Sequence, residues 1–180
     1  MSLDVTGAIK ALQTELGIPA EYGQDPLLAV YSECAETIEV GPNIVGKVQR
    51  LESSTAVVWQ QMTAAAVDDG INLLLISGYR SYEYQAALIR KKIKAGQTIQ
   101  DILTVNVAPG YSQHHTGQAI DIATPGSKPL QEEFEQSDAF AWLTEHASQF
   151  GFSLSYPRNN PCGLTYEPWH WYRSQQTNFS

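Results

Sequence analysis

The chain has 180 residues, enough for one domain with a substantial core, and its 43% hydrophobic and 17% charged residues are the balance of a folded globular protein. Nineteen Asp and Glu against eleven Lys and Arg leave a net charge of −8, which argues against nucleic acid or an anionic membrane surface as the main partner and makes a small uncharged or basic-group-bearing ligand easier to accommodate. No apolar run reaches the length of a membrane span, and the two cysteines, Cys34 and Cys162, are too few for a disulfide framework and lack CxxC spacing, so buried free thiols are the default expectation, with a single disulfide between them as the alternative.

The start, Met1-Ser2-Leu3-Asp4-Val5, has no basic stretch followed by an apolar one, so no secretory signal is expected in it. Val5 to Leu16 reads as a short helix stopped by Gly17 and Pro19. From there to Gly46 the chain shows little period and is punctuated by Gly23, Pro26, Gly41 and Pro42. Residues 1–46 are therefore expected as an N-terminal extension and 47–180 as the domain proper.

Ser53-Ser54-Thr55 can cap a helix with Val58, Met62, Ala65 and Ala66 on one apolar face, ended by Gly70. The short apolar run Ile71 to Ile76 predicts a buried strand. Ser77-Gly78-Tyr79-Arg80-Ser81 is then a strand-to-helix turn, with Ser81 as N-cap and Ala86, Ile89 and Ile93 on the inner face of the next helix, which Gly96 closes. A short helical piece follows near Thr98 to Leu103, and Ala108-Pro109-Gly110 makes a turn. Beyond it Gly117, Ala119 and Asp121 alternate with Gln118, Ile120 and Ile122, so in a strand the small residues and the carboxylate share one face. Asp138 can cap a helix lined by Phe140, Leu143, Ala147 and Phe150, with Gly151 as its stop. Phe152 to Tyr156 and Pro168 to Tyr172 read as strands flanking a turn over Asn159 to Gly163. The fold class is α+β: a single domain whose small antiparallel sheet carries a zinc site, with helices packed against it.

The chemistry concentrates in two stretches. Ser112-Gln113-His114-His115-Thr116-Gly117-Gln118-Ala119-Ile120-Asp121 puts an imidazole and a carboxylate seven residues apart across a glycine, and Glu167-Pro168-Trp169-His170-Trp171 adds an imidazole and a second carboxylate. Two His and one carboxylate with an open position suit catalytic zinc, because neutral imidazoles leave the site a net positive charge that acidifies water and polarises a carbonyl. Pro168 biases Glu167 to extended backbone, which suits Glu167 as general base better than as ligand. His115, adjacent to His114, is expected to point the other way along extended chain, and His146 to be a structural residue within its helix. Taken singly, each residue has a bland reading: a hydrogen-bonded histidine, an Arg80 paired with a surface carboxylate, a packing role for Cys162, Trp169 and Trp171. Their co-occurrence moves the balance.

Together Ser77-Gly-Tyr-Arg-Ser81 with Gln85, Ser112-x-His114-x-x-Gly117-x-Ala119-x-Asp121, and Glu167-x-x-His170 resemble the VanY-type D-alanyl-D-alanine carboxypeptidase family of zinc peptidases. The resemblance runs from about Val48 to Arg173. That family includes L,D-carboxypeptidases and shares its fold with D-Ala-D-Ala dipeptidases, lysostaphin-type peptidases and the hedgehog signalling domain.

The resemblance implies Zn2+ on His114, Asp121 and His170, Glu167 as the base that takes a proton from the attacking water, and Arg80 as the stabiliser of the oxyanion. It places Ser112 and Gln85 near the terminal carboxylate and backbone of the substrate, with Ser81, Tyr156 and Trp169 as further substrate contacts. Ser155 stands where many members carry a basic residue, which bears on stem-peptide specificity rather than on hydrolysis. The function implied is removal of the C-terminal D-alanine from peptidoglycan stem peptides by a monomer working in the periplasm or cell wall. The alternatives are an endopeptidase or D-Ala-D-Ala dipeptidase on the same scaffold, or a non-catalytic zinc-stabilised binding module. Arg80 and Glu167 speak against the last, since a structural zinc needs neither.

Overall fold

The computed structural model describes residues 5–24 and 27–174. Residues 1–4, on which the reading of the chain's start rests, and Pro26 lie outside them. The fold is α+β. Helix α1 (Val5–Glu15) is followed by a hairpin of β1 (Thr37–Pro42) and β2 (Val48–Glu52), then α2 (Ser53–Asp68), β3 (Leu74–Ser77), α3 (Tyr82–Lys94) and α4 (Ile99–Val105). The second half comprises β4 (Ala119–Ala123), α5 (Asp138–His146), β5 (Phe152–Leu154) and β6 (His170–Arg173). The main sheet is antiparallel in the order β3-β4-β6-β5.

Strand β4 runs through the middle of this sheet and is buried along its whole length. Its alternation does what the sequence pattern predicts: Ile120 and Ile122 enter the main core with Leu51, Met62, Leu143 and Phe152, while Asp121 borders a cleft on the other face. The register sets Asp121 opposite Ser77 on β3 and opposite His170 on β6. One sheet position thus draws together the ends of three segments far apart in sequence.

The corner where β2 runs into α2 holds the two glycine turns. Tyr79 N donates to Arg50 O at 2.8 Å and Glu52 N to Gly117 O at 3.0 Å. A Cβ at Gly78 would lie 2.5 Å from Arg50 O, and one at Gly117, whose φ is +68°, would lie 2.7 Å from Glu52 N. Both turns need glycine because a backbone passes where a side chain would be.

Several local expectations are corrected. Strand β1 lies inside the stretch read as an irregular extension; as one strand of a two-stranded ribbon it is only partly covered, so it carries no clean two-residue alternation. Asn43 makes its turn by accepting from Val45 N and Lys47 N. Glu52, not a serine, caps α2, its carboxylate accepting from Ser54 N and Thr55 N. The buried stripe of α2 is Thr55, Trp59, Met62 and Ala66, which leaves Val58 and Ala65 at its border. Ser137, not Asp138, caps α5 through its bond from Phe140 N.

In α3, Ser81 accepts from Tyr84 N as predicted, but Ile93 is 38% exposed: the cluster of Leu16, Ile18, Ala86, Ile89, Ile102 and Ala108 covers the helix only as far as Ile89. That cluster shows the N-terminal region packing on α3 and α4 rather than lying loosely on them. Cys34 and Cys162 are free but half-exposed, their thiols directed at the carbonyls of Glu36 and Leu27.

Candidate metal centre

His114 and Asp121 come together because a short 3-10 turn, Gln113–Thr116, begins at Ser112, whose Oγ accepts from His114 N, and ends at Gly117 in a left-handed conformation. The chain then enters β4 and delivers Asp121. His170 opens β6 directly across from it, after a turn in which His170 N donates to Glu167 O at 3.1 Å. All three side chains are buried, and their ligand atoms lie within 4.8 Å of one another.

The hydrogen bonds define which nitrogen faces the centre. His114 Nδ1 lies 2.7 Å from Gly78 O, and a carbonyl can only accept, so Nδ1 carries the proton. Nε2 is then a lone pair; it is buried, makes no hydrogen bond among the described residues, and lies 3.2 Å from Asp121 Oδ2. Burial, helped by the Arg80 charge, pushes the His114 pKa down to about 4, so the ring is neutral at ordinary pH. On His170 the pattern is reversed. Nε2 lies 2.9 Å from the amide oxygen of Gln113, and Nδ1 lies 2.9 Å from Asp121 Oδ1.

Two imidazole nitrogens thus converge on one carboxylate. Burial alone would keep Asp121 protonated, but the imidazoles set against it, the Arg80 charge and its hydrogen bonds overcome this and hold it well below the usual carboxylate range. Unprotonated His114 Nε2 against an ionised carboxylate is an unfavourable pairing unless a cation lies between them. The donor set, two nitrogens and one oxygen, fits zinc with a position left open.

Around the centre, Glu167 Oε2 lies 3.9 Å from His170 Nδ1. Burial, reinforced by the negative Asp121, pushes the Glu167 pKa up to about 7 against the opposing pull of His170 and Arg80. Arg80 donates from Nη2 to Asp121 Oδ2 at 2.6 Å and from Nε to Ser77 Oγ at 2.9 Å, and its side chain retains 14% exposure. These groups border a cleft of roughly 870 Å³, which Ser81, Gln85, Ser112, Tyr156 and Trp169 also line. Gln85 Nε2 donates to Val107 O, while its buried Oε1 has no hydrogen-bond partner among the described residues. The Tyr156 ring lies against His170, 5.0 Å between centroids, and burial together with Glu167 raises its phenol pKa.

His115 does not behave as extended chain requires. In the 3-10 turn it is fully buried behind the centre, with Nδ1 2.7 Å from Arg80 O and Nε2 accepting from Gly110 N. It braces the Arg80 backbone instead of facing a metal. His146 hydrogen-bonds Trp142 O and stacks on the Trp142 ring, a structural place in accord with the sequence.

Sequence reasoning passed over Gln113. Its amide oxygen takes Ser155 Oγ at 2.6 Å as well as His170 Nε2, and its amide nitrogen reaches Tyr31 OH at 3.4 Å. Nothing in its position between Ser112 and His114 announces this, because all three partners are distant in sequence.

A small antiparallel sheet with a buried His-Asp-His cluster, opening on a cleft beside a carboxylate of raised pKa, defines a class of α+β proteins equipped to hold a divalent metal. Within that class the chain belongs to the VanY family of D-alanyl-D-alanine carboxypeptidases, whose family model matches residues 48–174. It is 28% identical over 158 residues, 82% of this chain and 54% of the other, to a D-alanyl-D-alanine carboxypeptidase of Enterococcus faecalis. Among solved structures it is similar to the LdcB LD-carboxypeptidase, with a TM-score of 0.65 and 28% identity over 81% of this chain and 66% of that one. It is also similar to a mutant of the D,D-pentapeptidase VanY from the VanB-type vancomycin-resistance cassette in complex with Zn(II), with a TM-score of 0.61 and 27% identity over 82% of this chain and 86% of that one. The chain spans about half or less of the length of the curated relatives it matches, from 33 to 54%. Among the described residues no helix is long and apolar enough to cross a membrane.

Proposed function

We propose that this chain is a zinc-dependent carboxypeptidase that removes the C-terminal D-alanine from peptidoglycan stem peptides. The observation that carries the reading is His114 Nε2, a buried lone pair with no hydrogen bond among the described residues, aimed at the same carboxylate as His170 Nδ1. Family membership and the Zn(II) complex among the structural neighbours support it.

His114, Asp121 and His170 would hold the ion. Bound there, zinc acidifies water and polarises a peptide carbonyl. Glu167, with a pKa near 7, is suited to take a proton from the attacking water and to return it to the departing amine. Arg80, its fork held beside Asp121, is suited to stabilise negative charge developing on the carbonyl oxygen. Gln85 Oε1 offers a buried acceptor for a substrate N–H, and Ser112, Ser81, Tyr156 and Trp169 are assigned as further substrate contacts. On this reading residues 47–180 form the catalytic unit, an extension of residues 1–46 packs on it, and a monomer works outside the cytoplasmic membrane.

Mass spectrometry of tetrapeptide and pentapeptide muropeptides incubated with zinc-loaded protein tests the proposal. Loss of a single D-alanine is the expected result. Loss of a dipeptide or internal cleavage would replace it with another peptidase activity, and no product from either stem would defeat it.

A further inference from the structure

We propose that the segment from Tyr31 to Cys34, in the N-terminal region, is a strap that positions the metal centre, with Tyr31 acting on His170 through Gln113. The inference rests on the reading of His114, Asp121 and His170 as metal ligands, and it extends the centre to residues ahead of 48, where the family match begins.

Between α1 and β1 the chain from 27 to 36 is neither helix nor strand, yet its contacts are concentrated on the site. Tyr31 N donates to Gly110 O at 2.8 Å and Cys34 N to His115 O at 2.7 Å, so the two ends of the strap are tied to the two sides of His114. Tyr82, two residues beyond Arg80, ties the middle. Its hydroxyl donates to Tyr31 O at 3.0 Å and accepts from Glu33 N at 3.1 Å, and its backbone N–H donates to the Glu33 carboxylate. The strap thus clamps the turn that presents His114 to the start of the helix that follows Arg80.

The Tyr31 side chain reaches the third ligand. Its ring packs edge-on against Tyr172 of β6, two residues past His170, with 6.0 Å between centroids. Its hydroxyl accepts from Gln113 Nε2 at 3.4 Å, while the oxygen of the same amide takes His170 Nε2 and Ser155 Oγ. Gln113 is a long side chain, and confining its amide costs rotamer entropy; partners at both ends hold it in the one position where its oxygen meets His170 Nε2–H. That bond leaves His170 Nδ1 turned to the centre, and groups that orient a metal-ligating imidazole in this way raise metal affinity. Tyr31 is then a positioning residue one bond further out.

Stability alone does not account for the strap. Neither apolar cluster takes a side chain from residues 27–36, and Val30 is exposed. The N-terminal region is joined to the core further back, where Leu12, Leu16, Ile18 and Tyr22 pack with residues of α3 and α4. What residues 31–34 add is hydrogen bonds, each worth little to folding when partly exposed, and they fall on the segments flanking His114 and Arg80.

The test measures zinc affinity by chelator competition, the geometry of the centre by the visible spectrum of the Co(II)-loaded protein, and stability by urea unfolding of the zinc-free protein. Tyr31→Phe keeps the ring and the backbone bonds and removes only the hydroxyl. It should weaken zinc binding about three- to fivefold, less than the loss of a group bonded directly to a ligand, and alter the Co(II) spectrum, with the unfolding midpoint nearly unchanged. Tyr82→Phe, which removes the hydroxyl between Tyr31 O and Glu33 N and leaves Gln113 in place, should weaken zinc to a similar extent. The decisive comparison is Tyr31→Phe in the Gln113→Leu background, where it should have no further effect on zinc because the group it acts through is gone. Wild-type zinc affinity in Tyr31→Phe or Tyr82→Phe, or the same loss from Tyr31→Phe with and without Gln113, would overturn the strap's role while leaving the metal reading intact. A wild-type protein that binds no zinc would defeat the metal reading itself, and the strap's role with it.

Discussion

The two ends of the cleft are built on different physical terms. At the cluster end the three proposed ligands are buried and the polar groups around them are held by backbone or by another side chain: His114 by Gly78 O, His170 by Gln113, and the partly exposed Arg80 by Ser77 and Asp121. Along α3 the cleft is bordered instead by an exposed Lys91, which makes no ion pair among the described residues, and a half-buried Lys92 held by the Asn106 amide. The first arrangement suits chemistry, which needs groups held at fixed geometry before the substrate arrives. The second sets a positive sign along the cleft, for which approximate place is enough. Substitutions at the two ends should therefore differ in kind as well as in size.

The largest effect is expected from the cluster itself. Asp121→Ala removes the one charged ligand and should lower zinc content from about one per chain to near zero, with activity falling to background; full zinc retention by elemental analysis would break the assignment. His114→Ala should do the same. Next comes Glu167→Gln, which keeps shape and metal but should lower kcat about 10²-fold or more. Because burial raises this carboxyl, it is protonated below its pKa, and a general base acts only when deprotonated. Wild-type kcat/KM is therefore expected to rise with pH through about 7, and the variant's residual rate should lack that rise.

His115→Ala sharpens the comparison within a single turn. It should keep its zinc, yet because it leaves Gly110 N and Arg80 O without their buried partner it should cost about 2–3 kcal/mol of stability in denaturant unfolding. Zinc loss at unchanged stability would invert the roles of the two histidines. Gln113→Leu replaces no proposed ligand, but it removes the acceptor that orients His170 and should weaken zinc binding by about 10- to 100-fold in chelator competition. The smallest effect belongs to the far end, where Lys91→Gln should change stability by less than about 0.5 kcal/mol. A larger loss would mean that this end, too, is part of the folding framework.

What the sequence determined by itself were features whose causes are local. The alternation that puts Asp121 on the face opposite Ile120 and Ile122, the Ser81 cap and the glycine turns all follow from periods and stereochemistry within a few residues. The same local logic failed where competing neighbours decided. Glu52 and Ser137 took the caps one residue before the expected ones, and His115 turned inward because the chain there is a 3-10 turn and not a strand. Only the tertiary structure decided which groups orient the cluster and what charge the cleft presents. Gln113 meets His170 fifty-seven residues away, Tyr31 reaches Gln113 across eighty-two, and Lys47 joins Tyr84 from another element. A net charge of −8 argued against nucleic acid and anionic membranes and for an uncharged or basic ligand, yet a sum carries no position; the fold gathers five of the basic residues into one groove, and it is the local field that a ligand meets.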